Sequence, residues 1–227
     1  MNPSEIPAFL VGLLRQMDAE ASSTKDGLPI GLRWYWHHEE SISPSGKKRE
    51  ENEDSWCRRL KVLLESSGIP TTLKPKYPGS SKYADLRLKL SAGPYWIEVK
   101  GAWTYNNDPK DHARITRDNS KKYLHGRPDR CVESDVAKLN KLRQSDASHV
   151  AALLIGFDAT EPEKFVLPAT EIEELERRAA LSRPWEREHS SWPDLYQIGG
   201  PARPASGYRV RCWLWHRPLV TPDIPSA

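Results

Sequence analysis

Residues 83–101 read Y-A-D-L-R-L-K-L-S-A-G-P-Y-W-I-E-V-K-G. The alternation of side chains along this stretch decides how the chain folds. Ala84, Leu86, Leu88 and Leu90 alternate with Asp85, Arg87 and Lys89; further on, Ile97 and Val99 alternate with Trp96, Glu98 and Lys100. A period of two marks strands with one buried face. Between them Ser91-Ala92-Gly93-Pro94 supplies the reversal, with Gly and Pro where the backbone must turn. If Leu90 faces Tyr95, the register sets Lys100 opposite Asp85 and leaves Glu98 diagonal to Asp85 on the same face. Diagonal neighbours lie roughly 7–8 Å apart at the backbone, so the two carboxylates can share one ion. Two carboxylates and a lysine on one hairpin face suit a magnesium site with a base nearby.

Working outward, the 227-residue chain is long enough for one domain with a real core. Its net charge is only +3 although 29% of residues are charged, so any nucleic-acid binding must come from local patches. The three cysteines, Cys57, Cys131 and Cys212, form no C-x-x-C pair. That disfavours a disulfide framework or a zinc knuckle and points to a reducing cytoplasm. No apolar run of about 18 residues is present, so no membrane span is expected. Glu5 stands where a signal peptide would be basic.

Residues 4–20 predict a helix capped by Ser4, with Phe9, Leu10, Leu13, Leu14 and Met17 on a broad apolar face that suits packing on the domain or a partner helix. Leu32–His38 predicts a strand whose adjacent histidines, His37 and His38, point to opposite faces and read as structural. Residues 41–49 read as a linker. From Arg49 to Ser66 a helix gathers Trp56, Leu60, Leu63 and Leu64 on one side. Glu53 falls inside that apolar sector and Glu51 on the far side. An acid on a core-facing stripe needs a partner or a metal, unless it merely favours the helix start. Thr71–Tyr77 predicts a short strand before the hairpin.

Beyond Trp103 the chain turns polar. Asp108-Pro109 resembles a cap with proline at the first helical position. A helix from there would align Lys110, Arg114, Arg117 and Lys121 as one basic stripe, either a solvated face or a phosphate-contacting one. Ser134-Asp135 starts a helix carrying Val136, Leu139 and Leu142; His149–Phe157 is apolar throughout, the pattern of a strand covered on both faces. A helix over residues 168–180, a loop over 184–207 and a strand over 208–216 complete the reading. Arg209 and Arg211 share a face of that last strand with Trp213 and Trp215. This combination can stack on bases, or belong to an edge strand covered by the N-terminal segment.

The order helix, three strands, helix, strand from Arg49, with Asp at 85 and E-V-K at 98–100, resembles the PD-(D/E)xK nuclease superfamily. The resemblance covers roughly residues 49–157. It implies an α/β restriction-endonuclease-like αβββαβ core, a central mixed sheet flanked by helices, with additions on both sides. Residues 1–48 would be an N-terminal helix and strand extension. Residues 49–227 would be the nuclease-like domain, with residues 158–227 as C-terminal additions. Ala84 departs from the family's proline before the aspartate. By the same resemblance Asp85, Glu98 and the backbone carbonyl of Val99 hold Mg²⁺, for which Mn²⁺ substitutes. Lys100 orients or activates the attacking water, and Glu53 matches an acid that many members carry on the first core helix, where it touches a second metal or a metal-bound water. Asp135 and Lys138 stand on the helix after the motif, placed to support the site.

The implied activity is a Mg²⁺-dependent endonuclease hydrolysing phosphodiester bonds in DNA, with Lys110, Arg114, Arg117, Lys121, Arg209 and Arg211 as candidate DNA contacts. Restriction, antiviral defence and repair all use this fold. A homodimer, or a partner protein of a defence or repair system, is a further expectation. Two alternatives share the same residues. One is a catalytically silent nucleic-acid-binding or assembly subunit. The other is a salt-bridge lattice on an unrelated α/β domain, pairing Asp85 with Lys100 and Glu98 with Arg87.

Overall fold

The computed structural model describes residues 1–21, 41–42, 48–49, 52–103, 105–107, 115–117, 121–126, 130–145, 149–159, 166–182, 184–193 and 208–217. A 3₁₀ turn, Pro3–Glu5, leads into α1 (Ile6–Ala21). The cap is Asn2 rather than Ser4. Its side chain accepts from the Ser4 N–H while Glu5 accepts from the Asn2 N–H at 2.8 Å, and Pro3 occupies the first helical position, where no N–H is needed. Inside the predicted linker, β1 (Ser41–Ile42) pairs with β2 (Lys48–Arg49). The strand predicted over 32–38, with His37 and His38, lies outside the described residues.

Next come α2 (Asn52–Ser66), β3 (Thr71–Leu73), β4 (Leu86–Leu90), β5 (Gly93–Trp103), the short pair β6 (Tyr105–Asn107) and β7 (Ile115–Arg117), and α3 (Lys121–Leu124). They are followed by α4 (Val132–Ser145), β8 (His149–Ala159), α5 (Ala169–Arg178), β9 (Glu186–Pro193) and β10 (Tyr208–Arg217). Six strands form one mixed sheet in the order β3-β4-β5-β8-β10-β9. β5 and β8 are parallel and every other pairing is antiparallel. A parallel pair cannot be closed by a hairpin, and the chain between them carries α4 across one face.

Helices pack on both faces of the sheet. On one side Leu86, Leu88, Ile97, Val99, Leu153 and Ile155 pack with α1 and α2, through residues such as Leu10, Leu14, Trp56 and Leu60. On the other, Trp96, Ala152, Leu154, Trp213 and Trp215 pack with α4 and α5, through Val136, Leu139, Ile172 and Leu175. β8 is apolar on both sides because both are covered. Among the described residues no helix is long and apolar enough to cross a membrane. Cys57, Cys131 and Cys212 are free and buried.

Four local expectations are corrected. Leu90 pairs with Gly93 and Leu88 with Tyr95, because the turn uses only Ser91-Ala92. Gly93 takes φ +116°, a conformation side chains disfavour, and so re-enters the sheet two residues early. The predicted basic helix does not run through Ile115–Arg117, which is a strand paired with Tyr105–Asn107. Arg117 and Lys121 therefore share no helical stripe, and Lys110 and Arg114 lie outside the described residues. Glu186–Pro193, read as loop, is the outer strand beside β10. β10 is consequently internal, with Trp213 and Trp215 buried.

Candidate active site

β5 runs eleven residues but β4 only five, and their ladder ends at Leu86↔Ile97. Beyond that point β5 still pairs with β8 on one edge, while its other edge has lost its strand neighbour. Side chains take the neighbour's place. Asp85 Oδ2 accepts from the Val99 N–H at 2.7 Å, and Glu53 Oε1, from the first turn of α2, accepts from the Gly101 N–H at 3.0 Å. Buried backbone donors must be satisfied, so the overhang itself holds two acids against the strand. A residue's N–H and C=O project toward the same strand edge. The Val99 carbonyl thus also lies on the edge that Asp85 occupies.

Glu98 and Lys100 are the side chains of the same overhang. Lys100 Nζ lies 2.9 Å from Glu53 Oε2 and 3.8 Å from Asp135 Oδ2 of α4. Glu98 Oε1 accepts from the Tyr77 hydroxyl at 2.6 Å and lies 3.7 Å from Lys138 Nζ, which also meets Asp135 Oδ1 at 2.5 Å. Lys74 Nζ bridges Asp54 Oδ1 and Asp85 Oδ1, both at 2.6 Å. Lys74 takes φ +45°, uncommon for a residue with a side chain. Such backbone strain persists only where the surroundings over-determine it. The Tyr77 ring stacks on Trp96 at 5.4 Å.

Asp85, Glu98 and Asp135 are 8%, 4% and 4% exposed. Burial, then the nearby Asp85 and Asp135, push the Glu98 carboxyl well above its ordinary range. Burial likewise raises Glu53 and Asp135, against the opposing pull of Lys100. Lys100 is raised too, but for the opposite reason. Burial alone would lower it, but Glu53 and Asp135 outweigh burial and hold it above the ordinary lysine range. The Tyr77 phenol is pushed up by burial and by Glu98, so it remains a donor. Among the described residues, four carboxylates (Glu53, Asp85, Glu98, Asp135) stand with three ammonium groups (Lys74, Lys100, Lys138), of which Lys74 is shared with Asp54, so acids outnumber cations. Buried charge left uncompensated is costly. Carboxylate oxygens that outnumber the cations beside them suit a hard divalent cation. Among the described residues, no group of three or more His, Cys, Asp or Glu side chains stands at metal-ligand spacing.

The raised acids make a pH prediction. A native group whose pKa exceeds its unfolded value binds more protons folded than unfolded, so stability falls as pH rises between the two. For Glu98 that window opens at about the ordinary 4.5 and extends upward. In EDTA, the Tm advantage of Glu98→Gln over the wild type should widen as pH rises from 4.5 toward neutrality. A difference constant across that range would show that Glu98 carries no unfavourable charge in the fold.

Asp85, Glu98, Lys100, Glu53, Asp135 and Lys138 are thus brought together, whereas Glu51 lies outside the described residues. The pairs Asp85–Lys100 and Glu98–Arg87 give way to Lys74–Asp85, Lys100–Glu53 and Lys138–Asp135, and Arg87 stacks over Trp96 instead. Of the candidate DNA contacts, Lys121 meets Glu171 at 3.1 Å. Arg209 is exposed. Arg211 is engaged inside the fold, bonded to the buried Asp158 and to the Leu167 carbonyl and lying over Trp213. Lys74, Tyr77 and Asp54 were not singled out by sequence. The charge of Lys74 and Asp54 was visible, but nothing periodic ties either to Asp85. No protein-family model, curated protein or solved structure matches the chain.

Proposed function

We propose that the chain is a Mg²⁺-dependent endonuclease of restriction-endonuclease-like fold that hydrolyses phosphodiester bonds in DNA. The observation that carries this is the β5 overhang. It gathers the buried carboxylates of Asp85, Glu98 and Asp135 beside a lysine that stays protonated. The connectivity is in keeping with it: an antiparallel β3-β4-β5 meander preceded by α2, then α4, then β8 parallel to β5. Asp85, Glu98 and the Val99 carbonyl would hold Mg²⁺, or Mn²⁺ in its place. A bound ion of this kind polarises a phosphoryl oxygen and lowers the pKa of its water.

The protein's own groups supply the rest. Hydrolysis forms a bond from water oxygen to phosphorus and breaks one P–O ester bond, leaving a phosphomonoester and an alcohol. Lys100, held protonated by Glu53 and Asp135, orients the water and stabilises the charge that builds on phosphorus-bound oxygen; it does not act as the base. Glu53 fixes Lys100 and pins the Gly101 N–H, so its part is positioning. The test is cleavage of plasmid, linear duplex and single-stranded DNA with Mg²⁺, Mn²⁺ and EDTA in parallel. Absence of divalent-dependent cleavage on all three would remove the proposal.

Glu53→Gln keeps an oxygen for Gly101 but loses the charge facing Lys100. The rate should fall about 10–100-fold, the cost typical of outer-shell partners, with an unchanged circular dichroism spectrum. Glu51→Gln should leave the rate alone, and equal effects from the two would refute the positioning role.

A second reading is favoured by one observation: Lys74, Lys100 and Lys138 each already pair with an acid. The cluster would then be an ion-pair lattice on a silent domain. Calorimetry separates the two, because a lattice of that kind takes up little Mn²⁺.

A further inference from the structure

On the face of the sheet that bears the site, α4 and α5 cover β5, β8 and β10, but the edge formed by β3 and β4 stays open. Thr72 on β3 and Arg87 and Lys89 on β4 are exposed there, and Thr72 and Arg87 are paired across the strands. Arg87 is also paired with Trp96, two residues before Glu98, so this open edge runs directly into the acid cluster. The loop between the strands is exposed as well. An isolated bridge joins Lys76 to Tyr83; Lys76, Lys82 and Tyr83 are all exposed, Tyr83 by 55%. Tyr83 stands two residues from Asp85.

Charge along this stretch is lopsided. From Ser66 to Ile97 there is a single acid, Asp85, which is buried, against five cations: Lys74, Lys76, Lys82, Arg87 and Lys89. That local excess of four is larger than the net charge of the entire chain, +3. Lys74 is spent on Asp54 and Asp85. Among the described residues, Lys76, Arg87 and Lys89 form no ion pair, unlike the lysines of the cluster. A row of unneutralised cations with an exposed aromatic suits a polyanionic backbone carrying stackable bases.

We propose that the open β3–β4 edge, formed by Lys76, Tyr83, Arg87 and Lys89, is the track along which the DNA backbone is held as it enters the acid cluster. The proposal builds on the phosphodiesterase reading but is testable apart from it. Phosphate contacts position a strand without reading its sequence. Each phosphate neutralised on duplex contributes about 0.9 to the slope of log affinity against log salt.

The probe is a 20-base-pair duplex of arbitrary sequence, titrated from 50 to 300 mM salt in Ca²⁺. Wild type is compared with Lys76→Gln/Lys89→Gln and with Arg177→Gln, a control on α5. Arg177 is exposed and pairs with Glu174. The double variant should flatten the slope by about 1.8, equally on a second duplex of unrelated sequence, while the control leaves it unchanged. Mn²⁺-dependent hydrolysis of the same duplex by wild type is scored separately. Hydrolysis with an unaltered slope in the double variant overturns the track and leaves the nuclease reading standing. A flattened slope without any hydrolysis supports the track on a binding subunit and removes the nuclease reading. A wild type without measurable affinity at 50 mM salt, or a control that flattens the slope as much, overturns the track.

Discussion

Replacing Asp85 by alanine is expected to abolish DNA hydrolysis and to weaken Mn²⁺ binding by well over about a hundredfold. A supporting partner of a metal site typically costs 10–100-fold, and a ligand should cost more. Asp85 has two roles in the fold that must be separated from this one. Its Oδ2 satisfies the Val99 N–H and its Oδ1 takes half of Lys74. The alanine leaves a buried donor without its acceptor, a loss of about 1–3 kcal/mol. Asp85→Asn is therefore the cleaner variant: it keeps an oxygen for Val99 while removing the charge. It should retain more of the wild-type Tm than the alanine variant yet show the same loss of activity and metal affinity. Glu98→Ala should behave alike, because Glu98 lies on the same overhang within reach of Tyr77 and Lys138. If calorimetry finds Mn²⁺ binding unchanged in Asp85→Asn and Glu98→Ala, any ion the protein uses lies elsewhere.

How these acids were legible in the sequence follows from the periodicity of a strand. Period-two alternation assigned Glu98 and Lys100 to the face opposite Ile97 and Val99, and the structure buries Ile97 and Val99 with α1 and α2 on the other side. The register differs by two residues from the one expected with Leu90 facing Tyr95, because Gly93 at positive φ closes the turn earlier than a four-residue loop would. A slip of two keeps every side chain on its face. Carried one step past the ladder, the observed register sets Asp85 level with Glu98 rather than with Lys100, so the carboxylates draw together.

Charge spacing was a poorer guide. Lys110, Arg114, Arg117 and Lys121 have helical intervals, but no apolar stripe anchors them, and Ile115–Arg117 pairs as a strand instead. β9 was equally illegible. Its sequence, E-R-E-H-S-S-W-P, alternates weakly because an outer strand largely exposed on both faces needs no apolar side; it pairs because β10 requires a neighbour. Lys74 and Tyr77 reach the site only through the path of the β3–β4 loop, fixed by the Lys76–Tyr83 bridge, which no local pattern encodes.

Replacing Lys100 by alanine should separate chemistry from ion binding. Lys100 contacts Glu53 and Asp135, not the carboxylates of Asp85 or Glu98. Its removal takes one positive charge from the cluster, so Mn²⁺ affinity should hold or tighten. Folding should survive, because Glu53 keeps its bond from the Gly101 N–H and Asp135 keeps Lys138. What is lost is a cation aimed at charge that develops only in the transition state, and the removal of one such donor costs roughly 10²–10³ in rate. The expected result is therefore a single-turnover rate lower by about that factor, with calorimetric Mn²⁺ binding and Tm close to wild type. Lys100→Arg should restore only part of it, since a planar fork does not reproduce a compact ammonium. The pH profile gives an independent check. Glu53 and Asp135 hold Lys100 above the ordinary lysine range, so the wild-type rate should show no loss from lysine deprotonation below about pH 10. A rate limb that rises between neutrality and pH 9, and disappears in Lys100→Ala, would make Lys100 a base and reverse the role assigned to it. Turnover of the alanine variant at the wild-type rate would remove Lys100 from the chemistry altogether.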